Sequence, residues 1–143
     1  GIDIGTGGCK AAVYSAEGIE LAYAFREYNV LHPRATWAEL VPAEVLSRAF
    51  EVIREVNSKV NEPVSSMSIS SQGEAFTPVR KDGAILGNAM VSSDSRAAGL
   101  TPAWSNSFGE GKIYQITGQH HIHYLRSLLS KITRIDGIGQ RNL

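Results

Sequence analysis

The chain has 143 residues, 43% of them apolar and 20% charged, with fourteen basic against fourteen acidic side chains. That length suits one domain with a core of its own, and the zero net charge leaves no electrostatic footprint for nucleic acid or an anionic membrane, so a small-molecule partner is expected. No apolar run approaches a membrane span, no basic-then-apolar leader opens the sequence, and the one cysteine, Cys9, has no intrachain disulfide partner; a cytoplasmic protein is expected.

The first ten residues, GIDIGTGGCK, run a short apolar strand into a glycine-rich turn that comes out on a lysine. Successive backbone amides of such a turn can converge on an anion, because glycine accepts the positive φ angles that aim them inward and has no Cβ in the way. Asp3 before the turn and Lys10 after it would supply a carboxylate for Mg²⁺, through water, and a cation for phosphate oxygens. A dinucleotide fingerprint is excluded, since G-x-G-x-x-G counted from Gly5 ends on Lys10, and the Walker pattern has no match. A plain glycine-rich hairpin turn is the alternative that pattern alone leaves open.

Cys9–Ser15 lacks a cap and reads as a second strand, and Glu17-Gly18 turns the chain. Ile19, Leu21, Tyr23 and Phe25 then alternate with Glu20, Ala22, Ala24 and Arg26 in a third strand ending near Tyr28. The expected opening is thus an antiparallel meander with the phosphate turn in its first hairpin. Starting inside a strand, the sequence is expected to lack a few native N-terminal residues.

His32-Pro33-Arg34 marks a loop, and Trp37 reads as a loop anchor. Pro42 suits a first helical position and Glu44 the positive end of the helix dipole. Val45, Leu46, Ala49, Val52, Ile53, Val56 and Val60 form one apolar face of a helix running to about Lys59, stopped by Asn61 and Pro63. Beyond it, Met67 and Ile69 alternate with serines up to Gln72 and Glu74, which point the same way if the backbone stays extended. A carboxylate beside an amide suits a polyol, accepting from two hydroxyls while the amide donates and accepts; solvated loop residues are the plainer alternative. Phe76, Pro78 and Val79 read as a strand before the Lys81-Asp82-Gly83 turn, and Ala89-Met90-Val91 as another. Ser93 or Asp94 would cap a helix N-terminus, and Lys112–Ile116 reads as a helical turn or two. His120, His121 and His123 have no Cys or carboxylate at a zinc spacing, so no metal site is assigned there. Leu125, Leu128, Leu129 and Ile132 would suit one helix face.

GIDIGTGGCKAAVYSAEG resembles the opening of the FGGY carbohydrate kinases, relatives of hexokinase and actin, whose first phosphate motif runs G-x-D-x-G-T-T-x-x-[KR] along a hairpin. Gly1, Asp3, Gly5, Thr6 and Lys10 match, while Gly7 replaces the usual second Thr, keeping a backbone N–H and removing a hydroxyl. Trp37-Ala38-Glu39 is similar to the family's W-x-E-q segment. The segment S-S-Q-G-E-A resembles S-G-Q-M-H-G of xylulokinases and S-N-Q-R-E-T of glycerol kinases. Glu74 stands at the substrate-binding Glu of the latter, and Gly73 where a larger side chain is usual, which implies a roomier pocket or one shaped for a different sugar. Asp94 and Arg96 match W-x-D-x-R, with Ser92 in place of the Trp, so an aromatic platform is lacking. The likeness is expected to stop at about His120.

The resemblance implies an α/β fold of the ribonuclease H-like, actin-like ATPase kind: a mixed sheet opening with an antiparallel three-stranded meander, helices packed on it. It implies that residues 1–143 are the N-terminal sugar-binding domain of an enzyme transferring the ATP γ-phosphate to a hydroxyl of a small sugar or polyol, a pentulose such as xylulose or a glycerol-like compound. Asp3, Thr6, Gly7, Gly8 and Lys10 would hold the phosphates of Mg-ATP, Asp3 reaching Mg²⁺ through water. Gln72, Gly73, Glu74, Asp94 and Arg96 would bind the substrate, Arg96 steadying neighbouring carboxylates. The catalytic Asp is expected downstream in a second, ATP-binding domain, so no catalytic residue is assigned here and the chain alone is expected to be inactive. An actin-like nucleotide-binding module without sugar-kinase activity is the alternative, and a homodimer is left open.

Overall fold

A computed structural model describes residues 1–118; the histidine trio and the helix expected around Leu125–Ile132 lie outside the described residues. The described residues divide into two compact units, one built from residues 1–31, 40–73 and 77–89, the other from 32–39, 74–76 and the described chain from 90.

In the first unit, β1 (Ile2–Ile4), β2 (Gly8–Tyr14) and β3 (Glu20–Glu27) form the expected antiparallel meander. β4 (Glu39–Leu40) falls where the chain passes between units, and α1 spans Pro42–Lys59, as its periodicity and Pro42 predict. β5 (Ile69–Ser71) returns parallel to β1, giving a four-stranded mixed sheet of order β3-β2-β1-β5. The register sets Asp3 opposite Lys10 and Ile4 opposite Cys9, so charges of opposite sign meet beside the turn.

α1 covers one face of this sheet. Its Ala49, Val52 and Val56 are buried, as are Cys9, Ala11, Ala22 and Ala24. The two alanines of β3 are short enough for the helix to approach closely. Arg26, on the same side of β3, reaches Glu51 at 3.3 Å and Glu55 at 2.6 Å on α1. The larger Leu21, Tyr23 and Phe25 face the other way and remain 42–53% exposed. Leu46, expected on the packed face of α1, is 57% exposed because it lies at the edge of the apolar stripe. The strand expected through Phe76–Val79 does not form; only isolated bridges occur, Phe76 with Met90 and Val79 with Ile85, since Pro78 has no N–H for a ladder.

The second unit begins its long segment in β6 (Ala89–Met90) and continues through a 3₁₀ turn at Ala98–Leu100 into α2 (Thr101–Phe108) and α3 (Glu110–Thr117). Val91 N–H donates to Ala38 O at 3.1 Å and Ser95 N–H to Thr36 O at 2.9 Å, stitching the loop after β6 to residues 36–38. Among the described residues, Ala38, Met90, Val91, Ala97 and Ile113 are its buried apolar residues. The helix expected to begin at Ser93 or Asp94 begins only at Ala98, because Asp94 spends its oxygen on the Arg96 N–H, closing an Asx turn instead. α3 contains the helical turns expected at Lys112–Ile116 and runs about two turns in all; it stops at Gly118, which adopts φ 67° and returns its N–H to Tyr114 O at 2.8 Å. Among the described residues no helix is long and apolar enough to cross a membrane.

Candidate functional site

The glycine turn joins β1 to β2 through Gly5-Thr6-Gly7. Gly5 N–H donates to Gly8 O at 2.9 Å, and Tyr28, just past β3, meets the turn twice: its N–H donates to Gly7 O at 3.3 Å and its hydroxyl to Gly5 O at 2.6 Å. Thr6 and Gly7 have no main-chain N–H partner among the described residues. The expected reason for the glycines is corrected here, for none of Gly5, Gly7 or Gly8 has a positive φ. Gly8 is required by space instead: a Cβ there would lie 2.7 Å from Arg26 O and 2.8 Å from the Phe25 ring. At Gly7 nothing lies within 4 Å of such a Cβ, so the missing threonine is not a steric matter.

Beside the turn, Lys10 Nζ and Asp3 Oδ2 pair at 3.1 Å, both about half exposed. Thr6 Oγ1 donates to Gln72 Oε1 at 2.9 Å, and Gln72 N–H donates to Ile4 O at 2.9 Å. The sequence-expected residues of the turn and Gln72 are therefore brought into one cluster, joined across 66 residues of sequence. The Gln72 carbonyl oxygen is thereby taken by Thr6, and its amide NH₂ is the donor end of the side chain.

The alternation that would align Gln72 with Glu74 is not realised. β5 ends at Ser71, and Glu74 adopts φ 60°, a left-handed conformation that turns the chain. Glu74 is exposed, and a side chain at Gly73 would meet nothing within 4 Å.

Asp94 and Arg96 lie in the second unit, where they form a buried clasp. The Arg96 side chain is 6% exposed and that of Asp94 fully buried. Arg96 Nε donates to both Asp94 oxygens, at 2.9 and 3.0 Å, its Nη2 reaches Asp94 Oδ2 at 2.7 Å, and it also donates to Glu39 Oε1. The Ala38 and Arg96 amides complete the Asp94 shell at 2.9 and 3.1 Å. The guanidinium lies 3.7 Å from the centroid of the Trp37 ring, with Arg34 a further 4.5 Å contact on that ring. Burial raises the Asp94 pKa, but the bonds from the Arg96 side chain and the two amides outweigh it and hold the carboxyl below its ordinary value. Burial likewise works against the Arg96 charge, yet Asp94 and Glu39 together raise its pKa. Sequence reasoning missed Trp37 and Glu39 as members of this cluster; the signal available was two charge-bearing segments that each resembled a family motif.

The model of the FGGY family of carbohydrate kinases, N-terminal domain, matches residues 1–133, so the likeness continues past His120. L-xylulose/3-keto-L-gulonate kinase of Escherichia coli is 33% identical over 136 residues, covering 90% of this chain and 27% of that protein. A glycerol kinase of Gloeobacter violaceus is 30% identical over 118 residues, covering 82% and 24% respectively. Among solved structures, gluconate kinase from Lactobacillus acidophilus superposes with a TM-score of 0.82 at 23% identity, over 92% of this chain and 26% of that one. Plasmodium falciparum glycerol kinase with ADP gives 0.82 at 22% identity, over 97% and 29%. The fold is therefore the actin-like ATPase fold, and the chain spans about a quarter of the length of these relatives.

Proposed function

Since the chain belongs to the FGGY family of carbohydrate kinases, we propose that it is the N-terminal, sugar-binding domain of a cytoplasmic enzyme that transfers the γ-phosphate of ATP to a hydroxyl of a small sugar or polyol. The observation that carries this reading is the Thr6–Gln72 hydrogen bond, which ties a phosphate-type turn to the end of the strand where the family binds its sugar.

Phosphoryl transfer leaves the protein little covalent chemistry to do; catalysis is positioning and charge neutralisation. Thr6, Gly7 and Gly8 present main-chain amides to the migrating group. Lys10, with one of its three donors on Asp3, offsets negative charge on the phosphate oxygens. The residues present suit magnesium: Asp3 is an accessible carboxylate, and one or two carboxylates with water and substrate phosphates form the usual Mg²⁺ shell. Bound there with ATP, the ion would neutralise charge developing on the phosphates. Gln72 offers N–H donors to a sugar oxygen, Glu74 accepts from sugar hydroxyls, and Gly73 leaves room for the sugar. Asp94 and Arg96 act within their own unit, as a clasp on the Trp37–Glu39 segment. The base that deprotonates the attacking hydroxyl belongs to a part of the protein outside this chain.

Calorimetry and a coupled kinase assay on the intact protein, with a panel of pentuloses, aldonates and polyols, test the proposal. One or more of these should bind and be phosphorylated, with Glu74→Ala weakening sugar binding at least about tenfold, the cost of a lost charge-assisted bond. Nucleotide binding with indifference to every sugar would instead favour an actin-like module.

A further inference from the structure

Tyr28 is 4% exposed and lies beyond the last residue of β3, yet both of its donors are spent on the glycine turn. Its N–H meets Gly7 O and its hydroxyl meets Gly5 O. No cis peptide occurs among the described residues, and in a trans peptide the carbonyl and the following N–H point in opposite directions. Holding Gly5 O toward Tyr28 therefore turns the Thr6 N–H away from it, and holding Gly7 O does the same for the Gly8 N–H. One buried residue thus fixes two alternate peptide planes of a turn that contains three glycines and would otherwise be free to rotate them.

We propose that Tyr28 is the positioning residue of the phosphate turn, its phenol and main-chain N–H drawing back Gly5 O and Gly7 O so that the Thr6 and Gly8 amides stay directed at the terminal phosphate of ATP. This rests on the kinase reading above. A carbonyl aimed at the phosphate would repel it, so the residue acts as much by removing two acceptors from the site as by presenting two donors. The hydroxyl can do this only while protonated. Burial, with Cys9 and Asp3 adding, pushes its pKa up to about 12, so it remains a donor through the neutral range. A phenylalanine would fill the same space and leave Gly5 O without its partner.

The test is Tyr28→Phe in the intact protein, comparing affinity for a non-hydrolysable ATP analogue with affinity for ADP, each with magnesium, alongside the sugar KM. Loss of one buried hydrogen bond at the γ-phosphate turn should weaken the ATP analogue about three- to tenfold. ADP affinity and the sugar KM should stay within about twofold, while kcat falls. A residue needed only for folding would weaken all ligands together, and equal losses for the analogue and ADP, or no loss, overturn the assignment. Should Tyr28→Phe lose its cooperative melt, a crystal structure of the wild-type protein with the analogue decides. Thr6 and Gly8 amides on phosphate oxygens with the Tyr28–Gly5 bond intact support the proposal, and amides turned elsewhere overturn it. A wild-type protein that binds neither nucleotide overturns the kinase reading itself, whereas an active wild type with an indistinguishable Tyr28→Phe overturns only the role of Tyr28.

Discussion

Gly7 and Gly8 are neighbours in one turn and answer to different constraints. Gly8 has Arg26 O and the Phe25 ring where a Cβ would go, and the backbone oxygen cannot swing aside. Gly8→Ala should therefore cost about 1–3 kcal/mol in a denaturant melt, as overpacking does. Gly7 has open space and an ordinary φ, so Gly7→Thr, which restores the family's hydroxyl, should change stability by less than about 0.5 kcal/mol. The turn's position was legible in the residues; the reason for its glycines was not, because close approach by β3 is a fact of tertiary packing. Gln72 and Glu74 teach the same lesson, since their alignment assumed a backbone that Glu74 does not adopt. Asp94 and Arg96 could be picked out by pattern, but their mutual burial could not. Asp94→Ala should cost about 3–5 kcal/mol by stranding the Arg96 charge. Because the folded state holds the Asp94 carboxyl below the ordinary aspartate value of about 3.9, its stabilising contribution is complete above that pH and is lost as pH falls through the lowered folded value. Asp94→Asn should accordingly flatten the fall of Tm with acidification below about pH 4.

At the level of elements, α1 was the most readable segment. Apolar spacing and Pro42 give its start and its packed face, and the basic Lys59 at its last turn complements the dipole. The periodicity alone did not rank residues within the stripe. Val52 is fully buried while Leu46 is mostly exposed, so Val52→Ala should cost about 2 kcal/mol and Leu46→Ala less than about 1, measured by urea denaturation. β3 shows the opposite limit. Its alternation revealed a strand, yet the larger side chains mark the uncovered face and the alanines the covered one, because α1 needs small residues beneath it. Which face of an alternating strand is inside depends on what packs there, and that information sits in another segment.

For the molecule as a whole, family and fold were legible because the phosphate turn is specific in both spacing and residue type, while the division into two units was not, since it follows contacts between distant segments such as those at residues 38 and 94. The row of Leu21, Tyr23 and Phe25 leaves an apolar sheet face in water. The 143-residue chain studied alone should therefore self-associate, giving sedimentation that depends on concentration, and Tyr23→Lys should reduce that dependence.

Cys9 gives this protein a clock. Its thiol is completely enclosed on the sheet face that α1 covers, and burial, with the Glu51 carboxylate adding, raises its pKa above the ordinary value. An alkylating reagent can reach the sulfur only during moments when helix and sheet part, so the speed of its capture counts those openings. Nucleotide seated on the adjoining bend should slow the count, reporting occupancy without any turnover.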